Sequence, residues 1–179
     1  MSSKLLILGV SLAALALFIY KNKAPKAPVI TATDNSFTIE IPDGFTNSIA
    51  DKNTMLSQGS GGVPAEEIVL LQYKGSKISG DMVYATSTPF ASQGEKLNNI
   101  DEYIEFMKAQ TKTDNITFAK VEGSTDEMAS SAKIDRRGVS FYQSCRTRIG
   151  RILTMVCVIA PTANGSGEVD AILKSIKFL

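Results

Sequence analysis

Residues 5–20 read LLILGVSLAALALFIY, sixteen positions without a charge, with Lys4 ahead of them and Lys21 behind. No other feature constrains the chain as strongly, because a run this apolar has to leave water. As a helix it spans roughly 24 Å at 1.5 Å per residue. A bilayer core is about 30 Å thick, and snorkelling lysines with Tyr20 at the interface make up the difference. The rival is a cleavable signal, with Leu5 to Ala13 as its apolar region and Ala14-Leu15-Ala16 as the small-x-small site. Apolar sequence continues past that site through Leu17, Phe18, Ile19 and Tyr20, so cleavage would expose a greasy new terminus. The expectation is therefore a retained transmembrane signal anchor over residues 1–21. The stretch KNKAPKAP then reads as an extended, solvated linker over residues 22–33.

Charge bears on which side the domain lies. Lys4 and the terminal amine oppose Lys21, Lys23 and Lys26, which by the positive-inside rule slightly favours a cytoplasmic domain. A short amino terminus before a single apolar run is nevertheless the layout of an exported signal anchor. The expectation is a single-pass inner-membrane protein with a periplasmic domain; a cytoplasmic-facing domain is the alternative.

The formal net charge of +1 conceals an asymmetry. Four of the nineteen basic residues precede the first acid, Asp34, leaving fifteen against eighteen acids in the rest of the chain. Nucleic-acid binders carry a basic domain, so nucleic acid is not expected as a partner. The chain has no histidine, which excludes Ser-His-Asp and Cys-His nucleophile activation and every histidine-containing metal site. Two cysteines, Cys145 and Cys157, fit one disulfide in an oxidising compartment and equally two buried thiols.

Residues 34–179 carry strand and helix patterns for a single domain. SFTIEI (36–41) alternates, with Phe37, Ile39 and Ile41 on one face, and Pro42 and Asp43-Gly44 end it. The run EEIVLLQYK (66–74) is continuously apolar and predicts a strand central in its sheet. DMVYATS (81–87) follows a hairpin turn over 75–80. Asn99 is positioned to cap a helix whose apolar face is Ile100, Tyr103, Ile104 and Met107. Four strands then form a meander, ITFAKVE, MASSAKI, VSFYQSCRTR and RILTMVCVIA, with a turn at Ile149-Gly150. A closing helix begins near Ser166, with Lys174 and Lys177 flanking its end. The predicted class is α+β: a twisted, largely antiparallel sheet of about six to seven strands flanked by helices and preceded by one transmembrane helix.

NSFTIEIPDGF resembles the opening strand and Pro-x-Gly-aromatic turn of the PsbP/Mog-like superfamily, which includes bacterial DcrB-type envelope proteins. GRILTMVCVIAP, followed by VDAILKSIKFL with its final Ser-x-x-Phe, is similar to that superfamily's last strand and closing helix. The resemblance implies a twisted antiparallel sheet flanked by helices over about residues 34–179. It also implies a non-enzymatic role assisting or binding other proteins. Its motifs are core and turn residues, so neither a catalytic residue nor a partner carries over.

Ser130-Ser131-Ala132-Lys133 fits the Ser-x-x-Lys spacing of penicillin-recognising enzymes, but a strand sends residues i and i+3 to opposite faces. GSGG (59–62) lacks the Gly-Lys-Ser/Thr of a phosphate loop and reads as a connection or a lid. The paired acids Glu66-Glu67, Asp101-Glu102 and Asp126-Glu127 sit at turns and element starts, without calcium-loop spacing. With a two-residue turn at Ile149-Gly150 the cysteines would miss each other, so pairing them needs a longer turn or a bulge.

Arg136, Arg137, Arg146, Arg148 and Arg151 fall within sixteen residues on neighbouring strands. They read either as a charged sheet edge or as a cationic patch for an acidic protein surface or anionic lipid. On the patch reading, replacing Arg146 and Arg148 by Glu weakens partner binding and leaves the fold intact. The expected function is a membrane-anchored, non-enzymatic protein-binding or assembly-assisting domain of the bacterial envelope. It would have no cofactor or metal, would be held to the membrane through Leu5–Tyr20, and would bind another envelope protein. The alternative is a tethered carrier of lipid or a small apolar ligand, its pocket lying under the Gly-rich loop.

Overall fold

The computed structural model describes residues 27–53, 64–75, 81–90, 99–111, 115–136, 139–161 and 167–179, with Arg136, Val139 and Gly167 described by backbone alone. The anchor expected over 1–21 lies outside these residues, as do most of the Gly-rich loop and positions 76–80 of the hairpin turn. Among the described residues no helix is long and apolar enough to cross a membrane.

In chain order the elements are β1 (Val29–Thr31), β2 (Phe37–Glu40), β3 (Phe45–Asn47), β4 (Ile68–Lys74), β5 (Asp81–Pro89), α1 (Ile100–Gln110), β6 (Ile116–Lys120), β7 (Glu127–Arg136), β8 (Val139–Ile149), β9 (Ile152–Ala160), α2 (Gly167–Ser175) and β10 (Lys177–Phe178). Seven strands make an antiparallel sheet in the order β3-β4-β5-β9-β8-β7-β6, and β1-β2-β10 make a second, three-stranded one. The α+β class and the antiparallel sheet agree with the sequence.

Alternation sorts the large sheet into two faces. One face carries Val83, Ala85, Val156, Val158 and Ala160, and on it lie Phe37, Ile39 and Ile41 of the small sheet side with Val169, Ile172 and Ile176 of α2. Phe37 and Ile39 are fully buried, each worth about 1.5–3 kcal/mol of apolar burial. The opposite face holds two clusters. Ile100, Tyr103 and Ile104 of α1 pack on Met128, Phe118, Ile149 and Leu153. Ile68, Leu71 and Tyr73 pack with Ile49, Met82 and Tyr84.

Local chemistry starts and stops the elements. Asn99 caps α1: its side-chain oxygen accepts the Glu102 N–H at 2.9 Å, and its amide donates to the Glu102 carboxylate at 3.1 Å. Gly44 follows Pro42-Asp43 at φ +96°, in the left-handed region where glycine carries no Cβ penalty.

Four expectations need correction. β1 lies inside the expected linker and pairs with β2, with Val29 opposite Glu40, so residues 29–31 belong to a sheet and not to a solvated spacer. A three-residue strand with one neighbour leaves too little periodicity to find, and the same holds for β3 and β10. β4 is not central but next to the edge strand β3. Its continuous apolar run reflects cover on both faces and a register shift between Ile68 and Leu70, which lets Val69 and Leu70 both join the small-sheet side. Lys177 belongs to β10, because α2 ends at Ser175, whose hydroxyl bonds to the Ile172 carbonyl at 2.7 Å and accepts the Glu40 N–H at 2.8 Å. The β8–β9 turn is longer than two residues: Ile149 pairs with Leu153, which puts Arg151 at the apex.

Candidate functional site

β8 organises the chemistry of the molecule. Gln143, Cys145, Thr147 and Ile149 alternate onto the α1 side of the sheet, while Tyr142, Ser144, Arg146 and Arg148 alternate onto the α2 side.

On the α1 side the longer turn shifts the register so that Cys145 stands directly opposite Cys157. Their Cα atoms are 4.1 Å apart and their sulfurs are bonded. This is the close spacing of a non-hydrogen-bonded antiparallel pair, about 4.5 Å. Both half-cystines are buried. The Gln143 amide lies beside the bridge, 3.2 Å from the Cys145 sulfur and 3.4 Å from that of Cys157, and donates to the Tyr84 hydroxyl at 3.2 Å. Burial pushes the Tyr84 pKa up, against the opposing effect of the Gln143 hydrogen bond. The bridge is a buried cross-strand staple.

On the α2 side two of the five arginines are spent inside the molecule. Arg146 pairs with Glu127, donates to the carbonyls of Leu173 at 3.2 Å and Ile176 at 3.5 Å, and stands over the Phe178 ring at 5.8 Å. Those carbonyls belong to the end of α2, where a helix leaves oxygens without partners. Arg148 bonds Asp126 at 3.0 Å and donates to the Leu179 carbonyl at 3.2 Å. Burial works to raise the Asp126 pKa, but hydrogen bonds from Arg148 and Ser124 outweigh it and hold the carboxyl below its usual value.

The described arginines therefore do not form one patch. Arg151 is exposed at the β8–β9 turn. Arg136 pairs with Val139 at the other end of β8, about 30 Å from Arg148 at 3.4 Å per residue, and Arg137 lies outside the described residues. Because Arg146 and Arg148 hold the C-terminal elements, replacing both by Glu would disturb the fold. That substitution is no clean probe of binding.

Beyond the reach of α2, the same face of β6, β7 and β8 is polar, and among the described residues Thr117, Ser131 and Lys133 on it are exposed. Register sets Thr117 opposite Ser131, and Ser131 opposite Ser144, in one cross-strand row. Asn115, Lys133 and Tyr142 form the next: Lys133 pairs with Tyr142, and its N–H donates to the Asn115 carbonyl at 3.3 Å. Together with backbone at Ala132 and Gln143, the six line a depression of about 300 Å³. The Thr117 and Ser131 hydroxyls are 2.7 Å apart, and Lys133 lies 3.4 Å from Asp135. A hydrogen bond from the Ser140 hydroxyl, with a smaller one from Lys133, holds the Asp135 carboxyl below its usual range.

Sequence reasoning missed this grid. Its hydroxyls are ordinary strand residues until three strands are placed in register. The available signal was a polar residue at every second position of adjacent strands. Ser130 and Lys133 point to opposite faces of β7, as the spacing required. Among the described residues no group of three His, Cys, Asp or Glu could hold a metal ion.

No known protein family matches the chain. No curated protein matches it. Among solved structures it is similar to a protein of Bacteroides thetaiotaomicron VPI-5482 determined at 1.50 Å, with a TM-score of 0.51 and 11% identity. The match covers 87% of this chain and 49% of that one, so this chain spans about half the length of the protein it resembles. At this identity the likeness is one of fold alone.

Proposed function

We propose that this protein is a membrane-tethered, exported binding domain of the bacterial envelope that assists or recognises another protein and performs no catalysis itself. The observation that carries the reading is the Cys145–Cys157 bridge. Disulfides persist in oxidising compartments and are rare in the cytosol. A domain carrying one, behind the apolar run Leu5–Tyr20, fits a signal anchor that delivers it across the membrane. The membership suggested by NSFTIEIPDGF, a PsbP/Mog-like domain of DcrB type, belongs to the same proposal. The antiparallel sheet with a helix on each face accords with it.

The polar chemistry accords with binding rather than turnover. Asp126 and Asp135 are held ionised by hydrogen-bond donors, and Arg146 and Arg148 are committed to structure. The carrier alternative calls for an apolar cavity under the Gly-rich loop, most of which lies outside the described residues.

The test is protease accessibility of a carboxy-terminally tagged chain in intact cells and after opening the periplasm, with the mature mass measured. Digestion only after opening, at full-length mass, supports a tethered exported domain. Protection by the inner membrane, or a mass lacking the apolar run, overturns it.

A further inference from the structure

We propose that the two cross-strand rows Thr117–Ser131–Ser144 and Asn115–Lys133–Tyr142 form a binding site for a single acidic sugar unit, meaning a hydroxyl-rich ring bearing one carboxylate or phosphate. The site is independent of how the protein meets the membrane.

Size comes first. The depression holds about 300 Å³, the lower end for ligand sites, which suits one ring rather than an extended chain. Its floor is made of short side chains, so a ring settles on the sheet without displacing a long residue.

The lining then sets the chemistry. The three Ser and Thr hydroxyls and the Asn115 amide each donate and accept. Ring hydroxyls can therefore bond in either direction, and the Thr117–Ser131 hydrogen bond is exchanged for bonds to the ligand rather than lost. An acyl chain would leave these groups unpaired, at a cost of about 1–3 kcal/mol each. Tyr142, half-buried at the end of the second row, adds ring surface for the C–H face of a sugar.

Charge selects the acidic form. Among the described residues lining the depression, Lys133 is the one ionised side chain. Its partner Asp135 is 3.4 Å away, and the two side chains are 44% and 58% exposed. Exposed pairs of this kind contribute little, so the ammonium can turn to a ligand anion. Asp135 keeps the Ser140 hydroxyl when it does.

The experiment titrates the full chain in detergent micelles with glucuronate, glucose 6-phosphate, glucose and inorganic phosphate, following the backbone amide resonances of Thr117, Ser131, Lys133 and Ser144. Both acidic sugars are expected to shift these amides saturably and to bind about tenfold tighter than glucose, one charge-assisted hydrogen bond's worth. Inorganic phosphate should bind more weakly than either acidic sugar. Lys133→Gln should bring the acidic sugars to the level of glucose, and Ser131→Leu should remove the shifts. Lys108→Gln, an exposed change on α1, should leave them intact. Ser144→Ala serves where Ser131→Leu does not fold, and is expected to weaken binding. The proposal is overturned by shifts insensitive to the grid variants, by phosphate matching the sugars, by glucose matching the acids, or by no saturable shift.

Discussion

Arg146 donates a 3.2 Å hydrogen bond to the carbonyl oxygen of Leu173, so a residue in the middle of β8 closes the end of α2. The same guanidinium neutralises Glu127, and the side chains of the pair are 20% and 18% exposed. Arg146→Met keeps the aliphatic reach but strands Glu127 and the helix-end carbonyls. The expected loss is about 2–3 kcal/mol, read as a lower urea midpoint. Hydrogen exchange should quicken first in α2 and β10. Uniform loss of protection, or no loss, would mean the arginine does not act as a cap.

The bridge between Cys145 and Cys157 has a sequence separation of 12. Closing a loop of this length in the unfolded chain is worth up to about 3 kcal/mol. Cys145→Ala with Cys157→Ala should destabilise the fold by that amount at most, read as a lower thermal midpoint, and reductant should then have no further effect. A midpoint unchanged by the double substitution would mean that β8–β9 pairing already supplies the constraint.

Thr147 is 1% exposed, and its hydroxyl has no hydrogen-bond partner among the described residues. It lies between Met128 and Met155 on the α1 side of the sheet. Thr147→Val keeps the shape and removes a desolvated hydroxyl, so a gain of about 1 kcal/mol is expected in urea unfolding. A comparable loss would reveal an acceptor for that hydroxyl.

Asp126 should make stability fall in acid. Burial raises its pKa, but Arg148 and Ser124 lower it further, so the folded value lies below the usual 3.8. The unfolded state then binds more protons in that window, and stability rises with pH. The contribution is complete above about pH 5 and is lost as pH falls through the folded value. Arg148→Gln should flatten the difference in unfolding midpoint measured from neutral pH down to strong acid. An unaltered slope would leave Asp34 and Asp135, also held low by hydrogen bonds, to account for it.

The elements legible in the sequence are those that carry their own periodicity. α1 begins at the Asn99 cap the spacing indicated, and β2, β5, β7, β8 and β9 follow the alternation of their residues. β1, β3 and β10 were missed because two or three residues hold no period, and their strand character comes from a neighbour's hydrogen bonds. The candidate site was less legible. Arg146 and Arg148 are charged residues on an alternating strand, which fits a solvated face as well as a clamp. Only the fold of the C-terminal helix and strand over them decides which.

By itself the sequence determined the α+β class, the faces of its long strands and the lack of histidine chemistry, because each follows from residue type and short-range spacing. Tertiary structure alone decided the pairing of Cys145 with Cys157, the use of Arg146 as a helix cap and the joining of Thr117, Ser131 and Ser144 in one row. Each of these depends on strand register, and register is set by turn length and by what packs on each face. A shift of one residue would turn every one of these side chains to the opposite side of the sheet.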